Sequence, residues 1–227
     1  MKIGILQTGH SPEGLIADFG DYGEMFTYLL DGHDFAFEIY SVVDGQFPPG
    51  IHDADGWLVT GSKHGAYEDH PWIPPLEDFL RAAYSAAVPI IGVCFGHQIL
   101  AQALGGKVEK FSGGWAVGPT EYHMESGEEL LLNAWHQDQV TEKPADAKVI
   151  ATSPHCKYAM LAYGDRALTI QPHPEHSTGF FKGLIEKRGR GVVSNELLNA
   201  AESKLDAPVS SAWMADKMAE FFKQPRG

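Results

Sequence analysis

The sequence predicts an α/β fold, a doubly wound and mostly parallel sheet with helices on both faces. Three observations predict it. Short apolar runs alternate with stretches of helical periodicity through the first hundred or so residues. One run, Pro89-Ile90-Ile91-Gly92-Val93, passes straight into Cys94-Phe95-Gly96 and then into a helical pattern, which reads as strand, sharp turn and helix. A later run, Leu168-Thr169-Ile170, ends in His173-Pro174-Glu175, and ligands gather at the carboxyl ends of strands in such sheets.

Taken in order, Lys2 to Gln7 reads as a buried strand, and Thr8 to Gly20 as a loop of small and polar residues. Tyr22 to Leu30 can form a helix, ended by Gly32. Phe35 to Ser41 is a second strand, followed by a Gly/Pro-rich loop through Gly50, and Gly56 to Val59 is a short apolar third. Trp72 to Ala87 places Ile73, Leu76, Phe79, Leu80 and Ala83 at helical spacing, with Pro74 and Pro75 tolerable only in the first turn. After the Pro89 to Val93 strand, Ile99, Leu100, Ala103 and Leu104 carry a helix that Gly105-Gly106 stops.

The middle of the chain differs. Residues 106–110, 117–124, 129–132, 147–152 and 158–163 read as short strands separated by turn residues, a small antiparallel patch inserted before the last parallel strand. Thr178 to Arg188 and Ser194 to Leu205 then read as helices. A final helix follows Pro208 and Ser210, with an apolar stripe of Trp213, Met214, Met218 and Phe221 that is expected to pack on the domain. No repeat or low-complexity tract interrupts this order, so residues 1–227 are expected to form a single domain.

Composition narrows the function. Seventeen basic against 30 acidic residues leave a formal charge of -13, which disfavours nucleic acid or an anionic membrane as a partner. No apolar run approaches the length of a membrane span, and the opening Met1-Lys2-Ile3-Gly4-Ile5-Leu6 is too short for a signal segment. Two cysteines make no disulfide framework, and a cytoplasmic location is expected.

The chemistry centres on two stretches. In Gly92-Val93-Cys94-Phe95-Gly96, the G-x-C-x-G spacing is that of a nucleophile elbow with Cys in place of Ser. It puts the sulfur at a helix N-terminus, where the dipole and free N–H groups favour thiolate. Taken alone, Cys94 fits a buried structural thiol equally well. The second stretch is Gln171-Pro172-His173-Pro174-Glu175, stiffened by two prolines. In extended backbone His173 and Glu175 project to the same side. A thiol nucleophile needs a base, and the base needs an orienting acid. Cys94, His173 and Glu175 fill those roles. A metal cluster of His173, Glu175 and His176, with His97 or His136, fits no zinc spacing pattern, and neither metal nor organic cofactor is expected. Cys156 has no elbow or following helix and reads as a structural thiol.

These paired motifs resemble those of the class I (triad) glutamine amidotransferases, over roughly residues 1–180, with residues 181–227 as a helical C-terminal extension. The resemblance implies their flavodoxin-like fold and a Cys-His-Glu triad. It implies attack on a γ-carboxamide, loss of ammonia or an amine, and a γ-glutamyl thioester hydrolysed by water. It further implies an oxyanion hole from the backbone of Phe95 and of Gly61 or Ser62, although Thr60-Gly61-Ser62-Lys63 departs from the common Gly-Gly-Pro pattern. Gly114 and Trp115 would offer main-chain groups to the substrate's amino-acid end, and Gln98 its side chain. Trp135-His136-Gln137-Asp138 resembles the family's Ser-His-Gly-Asp segment, and His136 reads equally as cavity wall or as a packed polar turn. The residues after Glu175 are expected to form only a helical tail, without room for a synthetase. The sequence therefore suggests a stand-alone hydrolase of small γ-glutamyl compounds, similar to GMP-synthase-glutaminase-like proteins. The alternatives are a glutaminase serving a separate synthetase subunit and an inactive regulatory binding module.

Overall fold

The computed structural model describes residues 1–226. Its parallel half is built from β1 (Lys2–Gln7), α1 (Glu13–Phe19), α2 (Tyr22–Leu29), β2 (Ala36–Ser41), β3 (Gly56–Val59), α3 (Ile73–Ser85), β4 (Ile90–Val93) and α4 (Phe95–Ala103). All four residues of β3 and of β4 are buried, as expected of central parallel strands covered on both faces. α2 starts at a capping box in which Asp21 and Glu24 satisfy each other's end of the helix, and α3 holds its prolines in the first turn.

The antiparallel half comprises β5 (Lys107–Lys110), β6 (Ala116–Met124), β7 (Glu129–His136), β8 (Asp138–Glu142), β9 (Lys148–Thr152) and β10 (Met160–Tyr163). The chain then re-enters the parallel half as β11 (Ala167–Ile170) and ends in α5 (Thr178–Leu184), α6 (Asn195–Glu202) and α7 (Ser211–Lys223). Nine strands form one sheet in the order β2-β1-β3-β4-β11-β10-β9-β6-β7. β2, β1, β3, β4 and β11 pair in parallel; from β11 outward every pairing is antiparallel.

Side chains alternate across the sheet. Leu6, Trp57, Val59 and Ile90 pack with α3 and α4 through Leu76, Leu80, Ile99 and Leu100. Ile3, Ile5, Leu58, Ile91 and Val93 pack the other way, against Phe26 of α2 and Met214, Met218 and Phe222 of α7. The expected doubly wound arrangement is therefore present. Each such fully buried side chain contributes about 1.5–3 kcal/mol. The C-terminal stripe closes the second layer, with Phe222 rather than Phe221 as its fully buried aromatic.

Four details differ from the sequence reading. Residues 13–19 are helical, not loop, because Leu15 and Phe19 pack with Phe180 and Leu184 of α5, a distant contact that local composition does not reveal. The expected antiparallel patch is present but divided: β5 and β8 pair as a small sheet, and β6, β7, β9 and β10 extend the main sheet. β7 continues to His136 because Ala116 of β6 pairs with that residue. The helix at 178 ends at Leu184 and passes into a π-helical turn over Ile185–Gly189.

Candidate active site

β4 and β11 lie side by side in register, Val93 beside Ile170, so whatever follows each strand emerges at the same sheet edge. Cys94 follows β4. Its backbone takes φ 53°, ψ −101°, a conformation unusual for a non-glycine residue and costing about 1–3 kcal/mol. Two hydrogen bonds offset that strain: Cys94 N–H donates to Ile170 O at 2.8 Å, and Gly96 N–H donates to Thr60 O at 3.1 Å. The flanking glycines are required by backbone contact. A Cβ on Gly92 would sit 2.4 Å from Gly96 O, and one on Gly96 would sit 2.3 Å from Val59 O. Strand, elbow and α4 are thereby pressed together with Cys94 at the helix N-cap.

β11 runs out into His173 and Glu175. His173 N–H donates to Asn133 O of β7 at 2.8 Å, and Asn133 Nδ2 donates to His176 O at 3.0 Å, which pins the segment. His173 Nδ1 lies 2.6 Å from Glu175 Oε1, with both side chains almost wholly buried. Burial pulls the His173 pKa down. The Glu175 carboxylate and then Cys94 push it up more strongly, to about 10. These contacts favour the imidazolium form of His173. Among the described residues His173 Nε2 has no hydrogen-bond partner at normal length, while Cys94 is near enough to act on it electrostatically. A Cβ on Gly61 would lie 3.1 Å from His173 Cε1 and 3.7 Å from Cys94 Cβ, so both side chains crowd that glycine.

Two peptide units beside the sulfur are aimed by their carbonyls. Gly61 O accepts from Thr60 Oγ1 at 3.0 Å, with the Thr8 hydroxyl 3.1 Å away. Cys94 O accepts from Gln98 N–H at 3.0 Å inside α4. In a trans peptide the N–H points opposite to the C=O. The N–H groups of Ser62 and Phe95 therefore point away from those anchored carbonyls, the second from the open end of a helix.

A match to the family model "Glutamine amidotransferase class-I" spans residues 51–189, which include Cys94, His173 and Glu175. The chain belongs to the class I glutamine amidotransferases. Gamma-glutamyl peptidase 4 of Arabidopsis thaliana is 33% identical over 187 residues, covering 74% of this chain and 73% of that protein. GMP synthase [glutamine-hydrolyzing] of Chromobacterium violaceum is 32% identical over 164 residues, 65% of this chain but 29% of that protein. The crystal structure of a glutamine amido transferase from Methylobacillus flagellatus superposes with a TM-score of 0.77 at 22% identity, covering 100% of this chain and 96% of that one. Like these relatives, the chain is an enzyme.

In this class I amidotransferase a cavity of about 350 Å³ opens over the sulfur. Of the residues singled out in the sequence, Cys94, His173, Glu175, Gly61, Ser62, Gln98, Trp115 and His136 border it. Gly114 and Phe95 do not; Gly114 O is taken up by His155 Nε2 at 3.0 Å, and the buried Phe95 ring packs on Trp72. Gln98 Nε2 donates to Asp138 O at 2.9 Å and to Gln171 Oε1 at 3.1 Å, leaving only its carbonyl oxygen to offer a ligand. Sequence reasoning missed Tyr22, Lys63, Tyr67, Lys110 and Arg188 on the wall. No carboxylate lies at ion-pair distance from Lys63, Lys110 or Arg188 among the described residues.

Other buried groups complete the surroundings. His176 stacks flat on His173, centroids 4.0 Å apart and planes 5° apart; burial and the His173 charge hold it neutral. Stacked rings direct their lone pairs in parallel planes, so His173 and His176 cannot both face one metal ion. Burial pushes His97 and His136 each down to about 3; His97 Nδ1 meets Thr169 Oγ1 at 2.8 Å instead. Burial pushes the Cys156 thiol up to about 12, consistent with an inert side chain. Among the described residues no helix is long and apolar enough to cross a membrane.

Proposed function

We propose that this enzyme hydrolyses γ-glutamyl amide bonds in small molecules without a synthetase. Cys94 is the nucleophile, His173 the acid and base, and Glu175 the orienting carboxylate. The observation that carries the reading is the buried His173–Glu175 contact beside Cys94, at the floor of a cavity of ligand size. In this cycle the proton shared by Cys94 and His173 sits on His173 Nε2, and the Cys94 thiolate Sγ attacks the γ-carbonyl carbon. The oxyanion that forms is held by N–H groups of Phe95 and Ser62, with Gly61 giving the space. The intermediate collapses as the imidazolium protonates the departing nitrogen, leaving a γ-glutamyl thioester. Neutral His173 then takes a proton from water, whose oxygen attacks the thioester, and glutamate leaves as Cys94 recovers its thiolate. Gln98 Oε1 is an acceptor for the substrate's α-ammonium, with Trp115 on the same cavity wall.

Two features support a leaving group larger than ammonia. The likeness to gamma-glutamyl peptidase 4 extends over most of both chains. Lys63, Lys110 and Arg188 give the wall cations that suit a carboxylate on a departing amino acid or peptide. The match to GMP synthase favours a second reading, ammonia supply to a separate synthetase subunit. Turnover decides between them. The purified chain would be offered L-glutamine, γ-glutamyl amines and glutathione, with Cys94→Ala as control. Release of the larger amines, abolished in the variant, is expected. Activity on glutamine alone, or only after a synthetase is added, would favour the second reading. Unaltered partner binding by Cys94→Ala with no turnover in either protein would mark a binding module.

A further inference from the structure

The turn that follows Ser62 carries a second cluster of histidines, apart from the triad. His64 Nδ1 lies 3.4 Å from Glu68 Oε2, and His70 Nε2 lies 2.8 Å from the same oxygen. One ligand atom from each of the three falls within 4.8 Å of the others. Atoms bound to one tetrahedral zinc at about 2.0–2.2 Å sit roughly 3.3–3.5 Å from one another, so small side-chain movements complete the geometry. The two rings are 4.2 Å apart and inclined at 66°, so their lone pairs can converge, unlike those of the flat His173–His176 stack.

The cluster is also braced. Buried Trp72 lies parallel to the His70 ring, 13° between planes, and edge-on to His64. Such packing fixes ring orientation before an ion arrives. Two imidazoles and one carboxylate suit zinc better than magnesium or calcium, which take oxygen ligands, and leave the fourth position open.

Its place gives it a consequence. His64 and Glu68 stand on the wall of the catalytic cavity, while His70 lies outside it. His64 N–H donates to Ser62 Oγ at 3.1 Å, and Trp72 packs on Phe95, the residue after the nucleophile. We propose that His64, Glu68 and His70 bind a zinc ion at the rim of the catalytic cavity, and that the bound ion inhibits turnover by holding the Ser62 turn and obstructing entry.

Calorimetric titration of the full-length Cys94→Ala chain with zinc chloride tests the site without interference from the thiolate. One equivalent is expected to bind. Adding His70→Ala, or Glu68→Gln as a second variant, is expected to weaken binding at least about tenfold, with thermal melting confirming that each folds. No binding to Cys94→Ala, or binding unaffected by either added change, overturns the proposal; the latter would move the ion to another group such as the triad. With Cys94 present, His70→Ala should keep basal turnover and need at least about tenfold more zinc for half-inhibition. Equal zinc sensitivity would place inhibition on the thiolate and overturn the regulatory claim. The binding readout does not depend on which amide the enzyme cleaves.

Discussion

Replacing Glu175 with Gln removes one negative charge while preserving side-chain length. The structure sets the size of the effect. Glu175 Oε1 lies 2.6 Å from His173 Nδ1, and neither side chain is appreciably solvated, so screening by water is slight. At an effective dielectric of 20, unit charges about 4 Å apart interact by about 4 kcal/mol. That corresponds to roughly a thousandfold in the equilibrium between the thiolate–imidazolium pair and its neutral form. A thiolate formed against a higher pKa is more nucleophilic, and a Brønsted slope of about 0.4–0.5 recovers part of the loss. The net expectation is a fall of roughly thirty- to sixtyfold in the rate of Cys94 alkylation at neutral pH. The assay is iodoacetamide modification followed by intact mass, run beside steady-state turnover across neutral and alkaline pH. Turnover should fall further than alkylation, because the same imidazolium also protonates the departing nitrogen. A folded Glu175→Gln protein that alkylates and turns over within about threefold of wild type would refute the reasoning. Glu175 would then be a packed carboxylate with no bearing on the thiol.

Three further outcomes follow from the same geometry. With His173 raised to about 10, amide turnover should decline as pH rises through that value, because the imidazolium is lost, whereas alkylation of Cys94 should not decline; parallel pH profiles check this. Gly96→Ala drives a Cβ to 2.3 Å from Val59 O, a backbone atom that cannot swing away, and should destabilise the fold by about 1–3 kcal/mol or more, read by thermal melting. His176→Phe retains a flat stack on His173 and removes two buried nitrogens that make no hydrogen bond among the described residues, so turnover should stay within about tenfold, whereas a loss of a hundredfold or more would make His176 a proton carrier.

What could be read from the sequence follows a physical division. The elbow was legible because its glycines answer to backbone crowding, Gly92 against Gly96 and Gly96 against Val59, which leaves a fixed spacing in the chain. The central strands were legible because burial on both faces demands continuous apolar runs. α1 was not, because Leu15 and Phe19 become helical only against α5, far along the chain. The course of the antiparallel strands was also hidden: β9 and β10 carry ordinary half-buried patterns, and nothing local says that they join the parallel sheet's edge. The rim cluster escaped for a different reason. His64, Glu68 and His70 are spaced as in many polar turns, and only the fold of that turn, braced by Trp72, directs them to one point.

The sheet's change of direction at β11 has a consequence for the site. On one side, β4 holds β11 in parallel register, and Cys94, just past β4, donates its N–H to Ile170 O of β11. On the far side of the site, β7 reaches back so that Asn133 grips the His173 backbone with its carbonyl and the His176 carbonyl with its amide. Cys94 is therefore positioned by the parallel half and His173 by the antiparallel half. Neither half contains the whole site. β7 reaches Asn133 only because its pairing with β6 continues from His123–Glu129 through Ala116–His136 without a break. The long β6–β7 ribbon is thus a support for His173 as well as an extension of the sheet. Its outer end can tolerate change, whereas a change near Asn133 would move His173 relative to a Cys94 sulfur that stays fixed.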